Sequence, residues 1–285
     1  MITLPRLQNL VATAHELHRA AELLGAVQRL TQPPLPAYLE LGLLVGQDGL
    51  STGRLLEGGR VQLQLTTGEV VYTPANGPAA RFPINGSTQA RLFADLFGAL
   101  AQGELTPALP AGGDLFQRVS QGIASHGGRY RPPARERLLD ETPIRVDADT
   151  AHGYNQLLQI IYNGVARFSA RCSELKTPLV VWPEHFDLST LLFVGNEVDE
   201  SQPHLNFGFA PYSAGMDFPY LYVYAYPTPA GYTPACLPGG VHWTTEGWTG
   251  AWMNYSSIAS QEDGAVFVDE TCSAIYACLR PVLGA

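Results

Sequence analysis

Apolar residues recur at helical spacing over 13–30, where Leu17, Ala21, Leu24 and Val27 or Gln28 share one side, so this stretch reads as an amphipathic helix. Thr13 and Glu16 make a capping-box pattern at its start. Pro33, Pro34 and Pro36 end it, because proline lacks the donor a continuing helix needs. Strand-type runs follow over 38–45, 50–56, 61–67 and 69–73, separated by Gly46-Gln47-Asp48-Gly49, Gly58-Gly59 and Thr67-Gly68. Gaps this short allow only antiparallel hairpins, since a parallel crossover takes about a dozen residues or more. Ser87 then caps a second helix over 88–101 with Leu92, Phe93, Leu96 and Leu100 on one face.

The order repeats further along. Asp149 or Thr150 caps a helix whose stripe is Leu157, Ile161, Val165 and Phe168. Strand-type runs occupy 178–182, 185–194, 204–210, 220–226, 241–245 and 248–255, and a last helix over 262–280 presents Phe267, Cys272, Ile275, Tyr276 and Leu279. Asp48-Gly49-Leu50-Ser51-Thr52 and Phe186-Asp187-Leu188-Ser189-Thr190 stand at equivalent places in the two halves. The expected fold is therefore α+β, antiparallel sheets with flanking helices, with an internal duplication of a helix–strands–helix unit. Its parts are an N-terminal half at 1–102, a connecting segment at 103–147 rich in Gly, Pro and Arg, and a C-terminal half at 148–285. Within the connector, 114–125 reads as a short helix and 129–137 as a mobile basic loop.

Charge narrows the partners. The net charge of −9 falls wholly in the last 115 residues, where Arg171, Lys176 and Arg280 face 12 acids. That half repels phosphate backbones and anionic membranes, so neither nucleic acid nor membrane is expected as a partner. Only 15% of residues are charged, against roughly 25% in typical chains. The surface is correspondingly less charged, which favours self-association. Cys172, Cys236, Cys272 and Cys278 show no metal-ligand spacing, the first residues lack a signal-peptide pattern, and the default is a cytoplasmic protein with reduced thiols. Gly58-Gly59, Gly112-Gly113 and Gly127-Gly128 lack the context of a phosphate loop, and no nucleophile motif appears.

Three constellations carry candidate chemistry. His185 and Asp187 alternate on one strand face, as do His204 and Asn206, and hairpin pairing of the two runs would let all four converge. A His–carboxylate pair serves as a general base with its orienting partner, and two His with one Asp also match a divalent-metal ligand set. A structural His with a turn-forming Asp is the more frequent outcome, and no metal is assigned. The second group is His242, Thr244 and Glu246 with Trp248 and Trp252, an aromatic wall beside polar groups that can hold a cation, or else a core closure. Third, Tyr220, Tyr222, Tyr224 and Tyr226 fall on one face of a strand whose other face is Leu221, Val223 and Ala225. Such a row suits a ligand surface or an oligomer interface, or simply an exposed sheet face.

Four blocks carry a resemblance: Val181-Trp182-Pro183-Glu184-His185-Phe186-Asp187-Leu188, Leu205-Asn206-Phe207-Gly208-Phe209-Ala210-Pro211, Tyr220-Leu221-Tyr222-Val223-Tyr224-Ala225-Tyr226-Pro227 and Thr245-Glu246-Gly247-Trp248-Thr249-Gly250. In this order they resemble the bacterial domain-of-unknown-function family 5996. The N-terminal half fits it more loosely, through the 13–30 helix, Pro33-Pro34-Leu35 and Gly49-Leu50-Ser51-Thr52. The resemblance implies no reaction, substrate or cofactor.

Two readings of function stand side by side. In the first, the C-terminal half holds an aromatic, acidic pocket for a small molecule, as a binding protein or a cofactor-independent enzyme. Its walls are Trp182, Tyr222, Tyr224 and Trp248, its polar groups are His204, Asn206, His242 and Glu246, and His185 with Asp187 is the acid–base pair. In the second, the chain is a non-enzymatic homo-oligomeric module assembled through the tyrosine row.

Overall fold

The computed structural model describes residues 7–283 apart from 107, 127 and 128, with side chains from residue 9 onward. The Gly127-Gly128 pair therefore lies outside the described residues. α1 (Leu7–Thr31) begins earlier than the capping-box pattern suggests, and Thr13 is buried within it. Leu17, Ala21 and Leu24 are fully buried, as their spacing requires. The run at 38–45 is mostly not a strand. Pro36–Leu41 forms a tight 3₁₀ segment in which Ala37 and Tyr38 take left-handed φ values of 50° and 53°. Glu40 dictates this: its buried carboxylate accepts from Leu35 N at 3.0 Å, from Arg129 Nε at 2.9 Å and from the Tyr130 hydroxyl. These tertiary bonds outweigh local strand preference.

The strands β1 (Leu44–Gly46), β2 (Gly49–Ser51), β3 (Arg60–Gln64), β4 (Glu69–Thr73) and β5 (Ala80–Pro83) form an antiparallel meander in sequence order. β4 matches its sequence run to the residue, β2 and β3 overlap theirs but are shorter, and β5 carries too little alternation to be read in advance. α2 (Gln89–Leu100) is capped by Thr88, whose side chain accepts from Arg91 N, rather than by Ser87. α3 (Leu115–Ala124) has a complete capping box of Asp114 and Gln117, and α4 (Arg135–Leu138) is a single turn. The basic stretch 129–137, which runs into α4, is held by packing. Arg129 lies 4.3 Å over the Tyr38 ring, Arg135 lies 4.8 Å over Phe116, and Arg137 pairs with Glu22.

α5 (Ala148–Arg171) has Asp147 as its cap, accepting from Thr150 N at 2.8 Å. There follow β6 (Leu175–Lys176), β7 (Val180–Trp182), β8 (Asp187–Phe193), β9 (His204–Ala210), β10 (Tyr220–Tyr226), β11 (His242–Thr244) and β12 (Gly250–Asn254). They form an antiparallel sheet in the order β11-β12-β10-β9-β8-β6, with β7 also on β8. α6 (Tyr255–Ala259), α7 (Gly264–Leu279) and a 3₁₀ turn (Arg280–Leu283) follow. The protein is thus α+β with two antiparallel sheets, each in a helix–strands–helix order.

By contacts the chain divides into two compact units. The N-terminal unit is Ala12–Asn155 with Trp182–Glu184, and it includes the segment 103–147. The C-terminal unit takes Gln156–Val181, the residues from His185 on and the described residues before Ala12. In the latter, Phe168 of α5 packs on Phe207 of β9 with ring centres 4.5 Å apart, and on Tyr276 of α7 at 5.7 Å. Gly164 makes the helix contact possible, since a Cβ there would sit 2.6 Å from Val268 and 2.7 Å from the Ala265 carbonyl. Reduced thiols were the default expectation. Instead Cys236 and Cys278 form a disulfide, tying the loop before β11 to α7, while Cys172 and Cys272 are free.

Candidate functional site

The register of the seven-stranded sheet sorts its side chains into rows. Ser189, Gly208, Tyr222, Trp252 and His242 lie opposite one another across β8, β9, β10, β12 and β11. A second row holds Leu191, Asn206 and Tyr224, and a third holds Phe193, His204 and Tyr226. Asp187 opens β8 at the end where Ala210 and Tyr220 stand. All of these belong to one face, because paired residues in an antiparallel ladder point the same way.

Two glycines shape this face. A Cβ on Gly208 would collide with the Tyr222 ring and approach the Leu188 carbonyl at 2.7 Å. A Cβ on Gly250 would collide with Trp248 and lie 2.8 Å from the Val223 carbonyl. Glycine in a strand interior weakens the strand but lets a neighbouring ring lie flat on the backbone. Tyr222 uses that space to reach Asp187, and its hydroxyl donates to Asp187 Oδ2 while bonding the Ser189 side chain. Tyr222 is parallel to Tyr224 at 6.3 Å, edge-on to Trp248 at 6.2 Å and 6.0 Å from Tyr220. Phe218 and Met216, from the loop before β10, pack on the same cluster.

Electrostatically the centre of this face is Asp187. Burial raises its carboxyl above the usual aspartate range, against the lowering effects of the Tyr222 hydrogen bond and the His185 charge. Its Oδ1 is buried with no hydrogen-bond partner, as is Oδ1 of Asn206, whose amide nitrogen donates to the Tyr224 hydroxyl at 2.8 Å. Burial and the adjacent Asp187 together raise the Tyr222 phenol well above its ordinary range, so it acts as a donor rather than as a phenolate.

The structure groups only some of the predicted residues. Asp187, Tyr222, Tyr224 and Trp248 come together, with Asn206 bonded to Tyr224. His185 does not share a strand face with Asp187. It sits exposed in the turn before β8, and Phe186 between them takes a left-handed φ of 56°, which breaks the alternation. Charge, not a hydrogen bond, links the two. His204 lies at the far end: β8 and β9 do pair, but antiparallel register sets His204 against Phe193, six residues or about 20 Å along the strand from Asp187. There its Nδ1 meets the Gln202 carbonyl at 2.8 Å, its ring stacks on Tyr226 at 5.3 Å, and burial lowers its pKa. His242 is exposed on the outermost strand against Trp252 at 4.7 Å, and Glu246 is exposed in the hairpin turn. Trp182 ends β7 and clusters with the N-terminal unit. Among the described residues, no group of three or more His, Cys, Asp or Glu side chains is placed to hold a metal ion.

Sequence reasoning named Tyr220 in the tyrosine row but not among the pocket walls, and missed Ser189, Gly208 and Gly250. The two glycines were detectable, since each interrupts a run with strong strand character. Tyr220 and Tyr222 are 4% and 7% exposed and only Tyr226, at 46%, faces solvent, so the tyrosine row is mostly covered.

Fold and site define an α+β protein whose larger antiparallel sheet carries a buried acid beneath an aromatic cluster. The chain belongs to the DUF5996 family, a family of unknown function, whose model matches residues 134–279. No curated protein and no solved structure matches it. No helix among the described residues is long and apolar enough to cross a membrane.

Proposed function

We propose that this protein binds a small organic molecule bearing a protonated amine on the aromatic face of the larger sheet, with Asp187 as the anchor. The observation that carries the reading is the Asp187 carboxyl: one oxygen held by Tyr222, the other buried without a donor. Leaving a buried acceptor unpaired costs about 1–3 kcal/mol, more when it is charged. An ammonium group supplies both the missing donor and the compensating charge. Tyr222 bonds the acid and stands among Tyr220, Tyr224 and Trp248, and aromatic faces attract cations by up to roughly 2 kcal/mol when water is excluded. The acidity of the last 115 residues attracts the same class of ligand.

Asp187 Oδ1 is closed off, so the ligand enters by displacing the Trp248 ring, which lies over Gly250 just outside the strand. The bound cation holds Asp187 ionised, and binding releases the proton that burial otherwise favours. Asp187 is then also the group placed to exchange a proton with the ligand, His185 contributing charge from the turn. Oligomerisation through the tyrosine row is less favoured, because Tyr222 and Tyr224 are already engaged with Asp187 and Asn206.

A thermal-shift comparison tests this with benzylamine, benzyl alcohol (donor without charge) and benzyltrimethylammonium (charge without donor). Benzylamine should raise the Tm of the wild type more than either analogue and leave Asp187→Asn unmoved. An equal shift from benzyl alcohol would contradict the reading.

A further inference from the structure

The N-terminal unit contains a cavity of about 190 Å³ in which Glu22 and Arg29 of α1 face Arg131 and Arg137, with Glu184 from the turn after β7. Pro133, Ala134 and Pro183 supply apolar wall. Close packing frames it: a Cβ on Gly25 would stand 2.7 Å from the Pro183 ring, so only glycine lets the turn approach α1. Two of the three arginines are committed, Arg29 to Glu184 and Arg137 to Glu22. Arg131 is exposed on the cavity wall and has no ion pair or hydrogen bond among the described residues. The five charged groups thus leave one positive charge over.

We propose that this cavity binds a small monocarboxylate, its carboxylate taken by Arg131 with Arg29 and its apolar remainder lying on Pro133, Ala134 and Pro183. A guanidinium fork matches a carboxylate in two parallel hydrogen bonds. Charge balance selects a monoanion, since a phosphate dianion would meet two carboxylates inside the same cavity. Burial depresses the Arg29 pKa, so an added anion beside it relieves the cost of that buried charge. For size, a cavity of about 150 Å³ holds benzene, so a benzoate-sized acid fits. The site is independent of the Asp187 face and stands or falls without it.

Isothermal titration of the full chain with benzoate tests the proposal, with benzamide and inorganic phosphate as comparison probes. Benzoate should bind one to one, and benzamide and phosphate at least about tenfold more weakly. Arg131→Gln, at an exposed position without partners, should keep its circular dichroism and lose affinity about tenfold. Ala134→Phe should fill the mouth and abolish binding. Absence of benzoate binding at millimolar concentration would overturn the proposal. So would equal binding of benzamide or phosphate, or wild-type affinity in either variant.

Discussion

The two faces of the seven-stranded sheet are made from alternate residues of the same strands, yet they are built on different terms. One presents Leu188, Leu192, Leu205, Phe207, Phe209, Leu221 and Val223, all buried, and is closed by Phe168 of α5 with α7 behind it. Its stability comes from apolar burial and close packing; Thr190 there is satisfied by the Thr177 carbonyl, and only the indole nitrogen of Trp243, on the edge strand, is buried without a partner among the described residues. The other presents Asp187, Ser189, Asn206 and the tyrosines, and encloses two oxygens without partners. Such atoms reduce stability wherever they are not satisfied. Alternation lets one sheet devote a face to holding the fold while the other keeps unspent hydrogen-bonding capacity.

Substitutions can separate these roles. The largest effect is expected at the closed face: Gly164→Ala forces α5 off Val268 and the Ala265 carbonyl, costing about 3 kcal/mol or more in urea denaturation. Gly208→Ala strikes the other face, driving the Tyr222 ring off the backbone. It should cost roughly 2–3 kcal/mol and also abolish amine binding, where Gly164→Ala spares binding in the molecules that remain folded. Tyr222→Phe removes the side-chain donor to Asp187 and should cost about 1–3 kcal/mol.

Asp187→Asn acts with the opposite sign. A carboxyl whose folded pKa is raised holds its proton more tightly in the native state, so the native state loses stability as pH rises from the ordinary aspartate range through the raised value. Above that window the variant should melt higher than the wild type, by about 2–4 °C for each kcal/mol recovered, and the difference should vanish in acid. Smallest of all, His185→Ala should leave the Tm within about a degree, because the side chain is exposed. It removes a charge that lowers the Asp187 pKa, so an NMR titration of the carboxyl should move upward.

Much of this was legible in the chain. The strict alternation of 204–210 and 220–226 fixed β9 and β10 to the residue, and the acid, the tyrosines and Trp248 were named from pattern alone. Register was not legible: alternation says which residues share a face but not which ends of two strands meet, and so His204 was placed beside Asp187 when it lies at the far end. The left-handed Phe186 and the 3₁₀ segment around Glu40 were hidden for other reasons. The 3₁₀ segment is set by Arg129 and Tyr130, which no local window contains, and a positive φ at a bulky residue such as Phe186 is too rare to be read from its neighbours. The arginines of 129–137 read as a solvated run because their partners Tyr38, Glu40, Phe116 and Glu22 are distant in sequence.

The most direct measurement is a calorimetric titration of benzylamine into wild type and Asp187→Asn, in two buffers of different ionisation enthalpy at a pH just below the Asp187 pKa. Saturable binding by the wild type with net proton release, and none by the variant, is the predicted result. Equal affinity in both proteins would contradict the assignment of Asp187 as the anchor of a cation site.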